Sequence, residues 1–71
     1  MESEILITII DRLKNDADEA LDDYEQTKSD FSNGRRTAFY EVLDSIKNKL
    51  YSFDLNPDDY GLGADLDKKY L

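Results

Sequence analysis

An all-α fold, an antiparallel two-helix hairpin that dimerises into a four-helix bundle, is what this sequence predicts, and three observations carry the prediction. From Leu6 onward Ile10, Leu13, Ala17, Ala20, Tyr24, Thr27 and Phe31 recur at alternating spacings of four and three, which places them on one helix face. Phe39, Leu43, Ile46, Leu50 and Phe53 repeat the same alternation. Between the two ladders, Asp30-Phe31-Ser32-Asn33-Gly34 gathers residues that favour turns and caps over helix interiors. The 71 residues then make one helical-hairpin domain: a helix over about 3–29, a turn at 30–34, a helix over about 35–53 and an irregular tail over 54–71.

The first helix is expected to start at Ser3 as N-cap, with Glu2 and Glu4 suited to the positive end of the helix dipole. Its outward positions Asp11, Lys14, Asp18, Asp22 and Glu25 are polar, and no Gly or Pro interrupts it. At 1.5 Å per residue it forms a rod about 40 Å long, more than a compact monomer of this size needs. Ser32 or Asn33 can cap the second helix, Ala38 and Val42 widen its apolar stripe, and Lys47 and Lys49 suit its C-terminal end. Folding the chain at 30–34 sets Thr27 near Ala38, Ala20 near Leu43, Ala17 near Ile46 and Leu13 near Leu50, so that small residues of one helix meet large ones of the other. Ile5, Leu6 and Ile9 then extend past the second helix as an apolar patch in need of a partner. In the tail, Asn56 either stops the helix before Pro57 or caps a turn that Pro57 begins. Leu62, Leu66 and Tyr70, four apart, form either a short helix docked on the Ile5 patch or a frayed terminus.

Composition restricts the chemistry. With 39% apolar and 37% charged residues the chain suits a small helical domain, yet a core of this size rarely supplies more than about 3–5 kcal/mol without a staple or a partner. There is no Cys and no His, which removes disulfides, thiolate zinc sites, Cys nucleophiles, Ser-His pairs and imidazole bases. Self-association is the stabiliser left. The net charge of −8 repels phosphates and anionic lipid, which disfavours direct nucleic-acid binding. The run Ile5–Ile10 is too short to span a membrane and follows acidic rather than basic residues, so a cytoplasmic protein with no membrane contact is expected.

Four groups of residues invite a functional reading. Asp54, Asn56, Asp58 and Asp65 occupy positions one, three, five and twelve of a calcium-loop template, but Asp59 stands where the template needs Gly and Asp65 where it needs Glu. The weight falls on an acidic helix stop, and neither a metal nor a cofactor is expected. Arg35 and Arg36 at the start of the second helix oppose its dipole, so they either pair with Asp23, Glu25 or Asp30 or contact a partner at the hairpin tip. The carboxylates Asp16, Asp18, Glu19, Asp22, Asp23 and Glu25 read as a solvated face, because the inward positions hold Ala, Leu and Tyr and no His. Ile5, Leu6, Ile9, Leu13, Phe39, Tyr40, Leu43, Tyr51 and Phe53 are the candidate interface, with Tyr40, Leu43, Lys47 and Tyr51 forming a second stripe whose hydroxyls can stay wet at a rim.

The segment Gly34-Arg35-Arg36-Thr37-Ala38-Phe39-Tyr40-Glu41-Val42-Leu43-Asp44-Ser45-Ile46-Lys47-Asn48-Lys49-Leu50, behind a long acidic first helix, resembles small uncharacterised helical-hairpin proteins of Gram-positive bacteria and their phages. That group supplies no activity to carry over. The architecture also looks like the Rop-type hairpin, by analogy of fold alone; the basic RNA-contacting face of that family has no counterpart here. The reading that follows is a non-enzymatic homodimeric module for protein interaction or regulation. The alternatives are an acidic nucleic-acid mimic that occupies a DNA-binding protein, and a small subunit of a hetero-complex.

Overall fold

In the computed structural model, which describes residues 2–71 and side chains from residue 4 onward, two long helices are packed together and a short C-terminal tail lies against them. The expected Ser3 cap and its neighbour Glu2 fall outside the described side chains. Helix α1 spans Glu2–Thr27 and α2 spans Asp30–Ser52, joined by Lys28 and Ser29 alone. A connection this short returns α2 antiparallel along α1.

The turn therefore lies ahead of the 30–34 expected from composition, and those five residues are helical. Lys28 turns the chain with a left-handed φ of 52°, and Ser29, in an extended conformation, is the N-cap of α2. Its Oγ accepts the Ser32 N–H at 3.1 Å, the Ser32 hydroxyl donates to the Ser29 carbonyl at 3.0 Å, and Thr27 Oγ1 lies 2.9 Å from Ser32 Oγ. Ser32, a candidate cap from sequence, is instead buried with its polar groups satisfied, and Asp30 favours the helix start through the dipole. Phe31, read as the last rung of the first ladder, belongs to the first turn of α2 and is 76% exposed. The helix phase restarts at the turn, which carries its ring off the seam.

An earlier turn shifts the register. Thr27 meets Ser32, the Arg36 guanidinium lies 4.2 Å from the Tyr24 ring centre, and Arg35 pairs with Asp23, a pattern between about one and two helical turns away from the Thr27–Ala38 alignment. The second helix consequently reaches almost to the start of the first. The small-against-large principle still operates: Ala17 and Ala20 are fully buried, as is Leu43, with Leu50 nearly so.

The tail, expected to be irregular, is built from two short helical pieces. Helix α2 ends in a Schellman arrangement in which Leu55 N–H reaches the Leu50 carbonyl at 2.9 Å and Asp54, with φ 58°, occupies the left-handed position usually given to Gly. Asn56 Oδ1 accepts the Asp58 N–H at 3.1 Å and caps a 3₁₀ turn, Pro57–Tyr60, as the second sequence reading of Pro57 allowed. Gly61, at φ 83°, closes that turn. Asp65 caps a last helix, α3, over Leu66–Tyr70.

Leu62, Leu66 and Tyr70 are all buried and join Ile10, Ala17, Leu43 and Leu50 in one core, so the frayed alternative does not hold; the helix alternative holds for Leu66–Tyr70, while Leu62 lies in the stretch between the 3₁₀ turn and α3. Its docking place differs from the expected one. The tail covers the side of the hairpin that carries Tyr40, Leu43 and Lys47, where Tyr40 bonds Asp67 and Lys47 Nζ reaches the Ala64 carbonyl at 3.3 Å. It does not cover Ile5 or Ile9, which stay 64% and 50% exposed. The principal dimensions are 39, 19 and 15 Å, and the radius of gyration, 12.7 Å, exceeds the ~11 Å typical of a compact chain of this length.

Candidate functional site

The hairpin has two apolar sides, and the tail occupies one of them. On the other, the α2 positions Ala38, Val42, Ser45, Ile46 and Lys49 and the C-cap Phe53 share a face by their three- and four-residue spacing. A groove of about 370 Å³ is lined there by Leu6 of α1, by Ser45, Ile46, Lys49 and Leu50 of α2, and by Phe53 and Leu55 after it. A second depression, formed by Ala38, Glu41, Val42, Ser45 and Ile46, continues it toward the hairpin tip. Ile5 and Ile9 border a third with Glu4 and Thr8. Phe53, at 74% exposure, Val42 and, seven residues before Ala38, Phe31 are large apolar side chains of α2 and its C-cap left open along this face. Apolar patches of this kind are more exposed than a monomeric surface usually leaves them.

The expected interface set divides between this surface and the interior. Ile5, Ile9 and Phe53 are exposed and Leu6 lines the groove; Tyr51 is exposed too, but on the second stripe, beyond the stretch that the tail covers. Leu43 has no exposed surface, so it belongs to the core and not to an interface; Leu13 and Phe39 pack half-buried against the same core. Tyr40 is engaged by α3 through Asp67, because the second stripe it heads is the one the tail covers. Leu55 was missed: it lies past the helix, outside any periodic pattern, and only the chain reversal at Asp54 folds it back toward Leu50. Val42 and Ile46 were legible as parts of the apolar stripes.

Charges on the open side are paired or sparse. Arg12, three residues after Ile9, bonds Asp16 at 3.2 Å. Arg35 and Arg36 sit in the second turn of α2, beyond the dipole's reach, since the helix starts at Asp30. Arg35 donates to Asp23 at 2.7 Å, while Arg36 stacks on Tyr24 and bonds Asn33, its Nε having no hydrogen-bond partner. Neither arginine is free at the tip. The acidic set is likewise partly engaged: Asp16 and Asp23 in these pairs, and Asp18 by Tyr70 and Lys69.

Asp18 holds the tail to α1. The Tyr70 hydroxyl donates to its carboxylate at 2.6 Å and Lys69 Nζ lies 3.1 Å away. Burial alone would raise the Asp18 pKa, but the Tyr70 hydroxyl, Lys69 and the charge of Lys14 outweigh it and hold the group below its ordinary value. Tyr70 moves the opposite way, raised by burial and by its bond to Asp18, and Tyr40 is raised to about 12, chiefly by its bond to Asp67.

The calcium-template residues act as local caps. Asn56 and Asp65 each hold a backbone N–H, Asp54 forms the left-handed helix stop, and the Asp58 carboxylate lies against Gly63, where an added Cβ would meet it at 1.3 Å. Among the described residues no group of three or more carboxylates is placed to hold a metal ion. No helix among them is long and apolar enough to cross a membrane. No family model, curated protein or solved structure matches the chain.

Proposed function

We propose that the chain is a small cytoplasmic, non-enzymatic interaction module that works as a homodimer, two hairpins packing through their open sides into an antiparallel four-helix bundle. The carrying observation is the open apolar surface of Leu6, Ala38, Val42, Ile46 and Phe53, which forms two adjoining depressions, together with the exposed Ile5 and Ile9 of α1. A two-fold contact needs a self-complementary surface, and the paired charges Arg12–Asp16 and Asp23–Arg35, with Lys49 in the groove and Glu41 at the edge of the second depression, offset part of the repulsion between two chains of net charge −8. Burying this surface also supplies the stabilisation that a 71-residue core lacks. A regulatory role fits a surface of this kind, with its exposed acidic back free for a third molecule.

Sedimentation equilibrium at micromolar concentration tests the reading. The native chain is expected at twice its 8.2 kDa mass and Val42→Glu at the single mass with unchanged helicity, since Val42 is exposed in the protomer and central in the proposed contact. A folded native monomer would overturn the proposal.

A further inference from the structure

The open face of α2 carries an exposed aromatic ring at one end and an apolar groove at the other. Phe31, in the first turn of α2, is 76% exposed, because the two-residue turn restarts the helix phase and carries its ring off the seam with α1. Steps of three, four and seven residues place it on the same face as Ala38, Val42, Lys49 and Phe53. At the far end of that face lies the groove of about 370 Å³ between Leu6, Lys49, Leu50, Phe53 and Leu55. A dry cavity of roughly 150 Å³ already admits a benzene ring, so the groove has room for an aromatic side chain.

Ring and groove are placed symmetrically about Val42. Phe31 lies eleven residues before Val42 and Phe53 eleven after it, each roughly 16 Å away along the helix at 1.5 Å per residue. A two-fold axis through Val42, perpendicular to α2, therefore brings Phe31 of each copy over Phe53 of the other. Charge permits this pairing. Within one helical turn of Phe31 stand Lys28, Asp30 and Arg35, the last already paired with Asp23, and within one turn of Phe53 stand Lys49 and Asp54. Each junction thus gathers two free charges of either sign along α2 and its flanks, although the whole chain carries −8.

We propose that the Phe31 ring of each copy inserts into the groove of a second copy, so that the tip of one hairpin closes the open end of the other. The inference rests on the homodimer proposed above and fixes its register: antiparallel, centred on Val42, with one inserted ring at each end. Val42 then meets its own counterpart, and Ala38 lies against Ile46 of the other copy.

The native chain, prepared as an equal mixture of isotope-labelled and unlabelled copies, tests the insertion together with Phe31→Ala. Isotope-filtered NMR is expected to read contacts from the Phe31 ring to the Leu6 and Leu55 methyl groups of a differently labelled chain. Phe31 is exposed in the protomer, so Phe31→Ala should leave helicity unchanged. Losing two buried rings per dimer should nevertheless raise the dissociation constant on the order of a hundredfold or more in sedimentation equilibrium. A native dimer without those interchain contacts, or one whose dissociation constant Phe31→Ala leaves unchanged, overturns the insertion and leaves the hairpin-face homodimer standing. Contacts between the two Phe31 rings, which a parallel pairing would give, overturn it in the same way. A native chain that stays monomeric overturns both.

Discussion

At the level of single residues, Ser29 decides where the hairpin turns. The sequence reading puts the cap at Ser32 or Asn33; Ser29 takes that place instead, because its hydroxyl meets the Ser32 N–H while Ser32 in turn fills a buried site against Thr27. Ser29→Ala is expected to cost about 1 kcal/mol in urea unfolding, with the m-value unchanged. Gly34 behaves in the opposite sense. It lies inside α2 with nothing within 4 Å of where a Cβ would stand, so Gly34→Ala is expected to stabilise by about 1 kcal/mol and raise Tm by roughly 4–8 °C. Were 30–34 the turn, as its composition suggests, the same substitution would be neutral or harmful. Gly61 completes the set: its φ of 83° makes Gly61→Ala destabilising by about 1 kcal/mol in the same assay.

Among the elements, the two long helices were legible from periodicity and the tail was only half so. Leu62, Leu66 and Tyr70 announce a helix by their spacing, but their docking place depends on which hairpin side is available, and that follows from a register set by a two-residue turn. The tail's grip on the hairpin depends on ionisation. Asp18 has a lowered pKa, so its contribution is present above its ordinary value of 3.8 and is lost as pH falls through the lower folded value. Tyr70 and Tyr40 are raised above 10.0, so their contributions are complete below pH 10 and are lost as pH rises through their folded values, about 12 for Tyr40. Ultraviolet titration of phenolate formation should therefore lose a late-ionising component in Tyr70→Phe and another in Tyr40→Phe. Asp18→Asn should move the Tyr70 component toward lower pH without moving that of Tyr40, because the two hydroxyls bond different carboxylates.

For the whole molecule, asymmetry is the governing feature: a hairpin apolar on two sides, with one side closed by its own tail and the other open. The sequence indicated surplus apolar surface, since two stripes were visible on the second helix and Ile5 and Ile9 stood beside the first ladder. It did not say which stripe would be satisfied within the chain, and so Leu43 and Tyr40 were placed at an interface although one is interior and the other lies under α3. The division sorts the effects of substitution. Leu43→Ala, at a fully buried site, is expected to cost about 2–5 kcal/mol in chemical denaturation at any protein concentration. Val42→Glu should instead abolish any dependence of Tm on protein concentration while leaving the low-concentration Tm nearly unchanged, because its effect is confined to association.

The two-residue turn also bears on the order of folding. Bonds across the hairpin join residues close in the chain, 5 apart for Thr27 and Ser32 and 12 for Asp23 and Arg35, whereas Tyr70 and Asp18 stand 52 apart. Loop closure makes the first kind rapid and the last slow, so the hairpin zips from Ser29 outward before the tail arrives. During that interval both apolar sides are bare, and one of them is closed only when Leu62, Leu66 and Tyr70 reach the core.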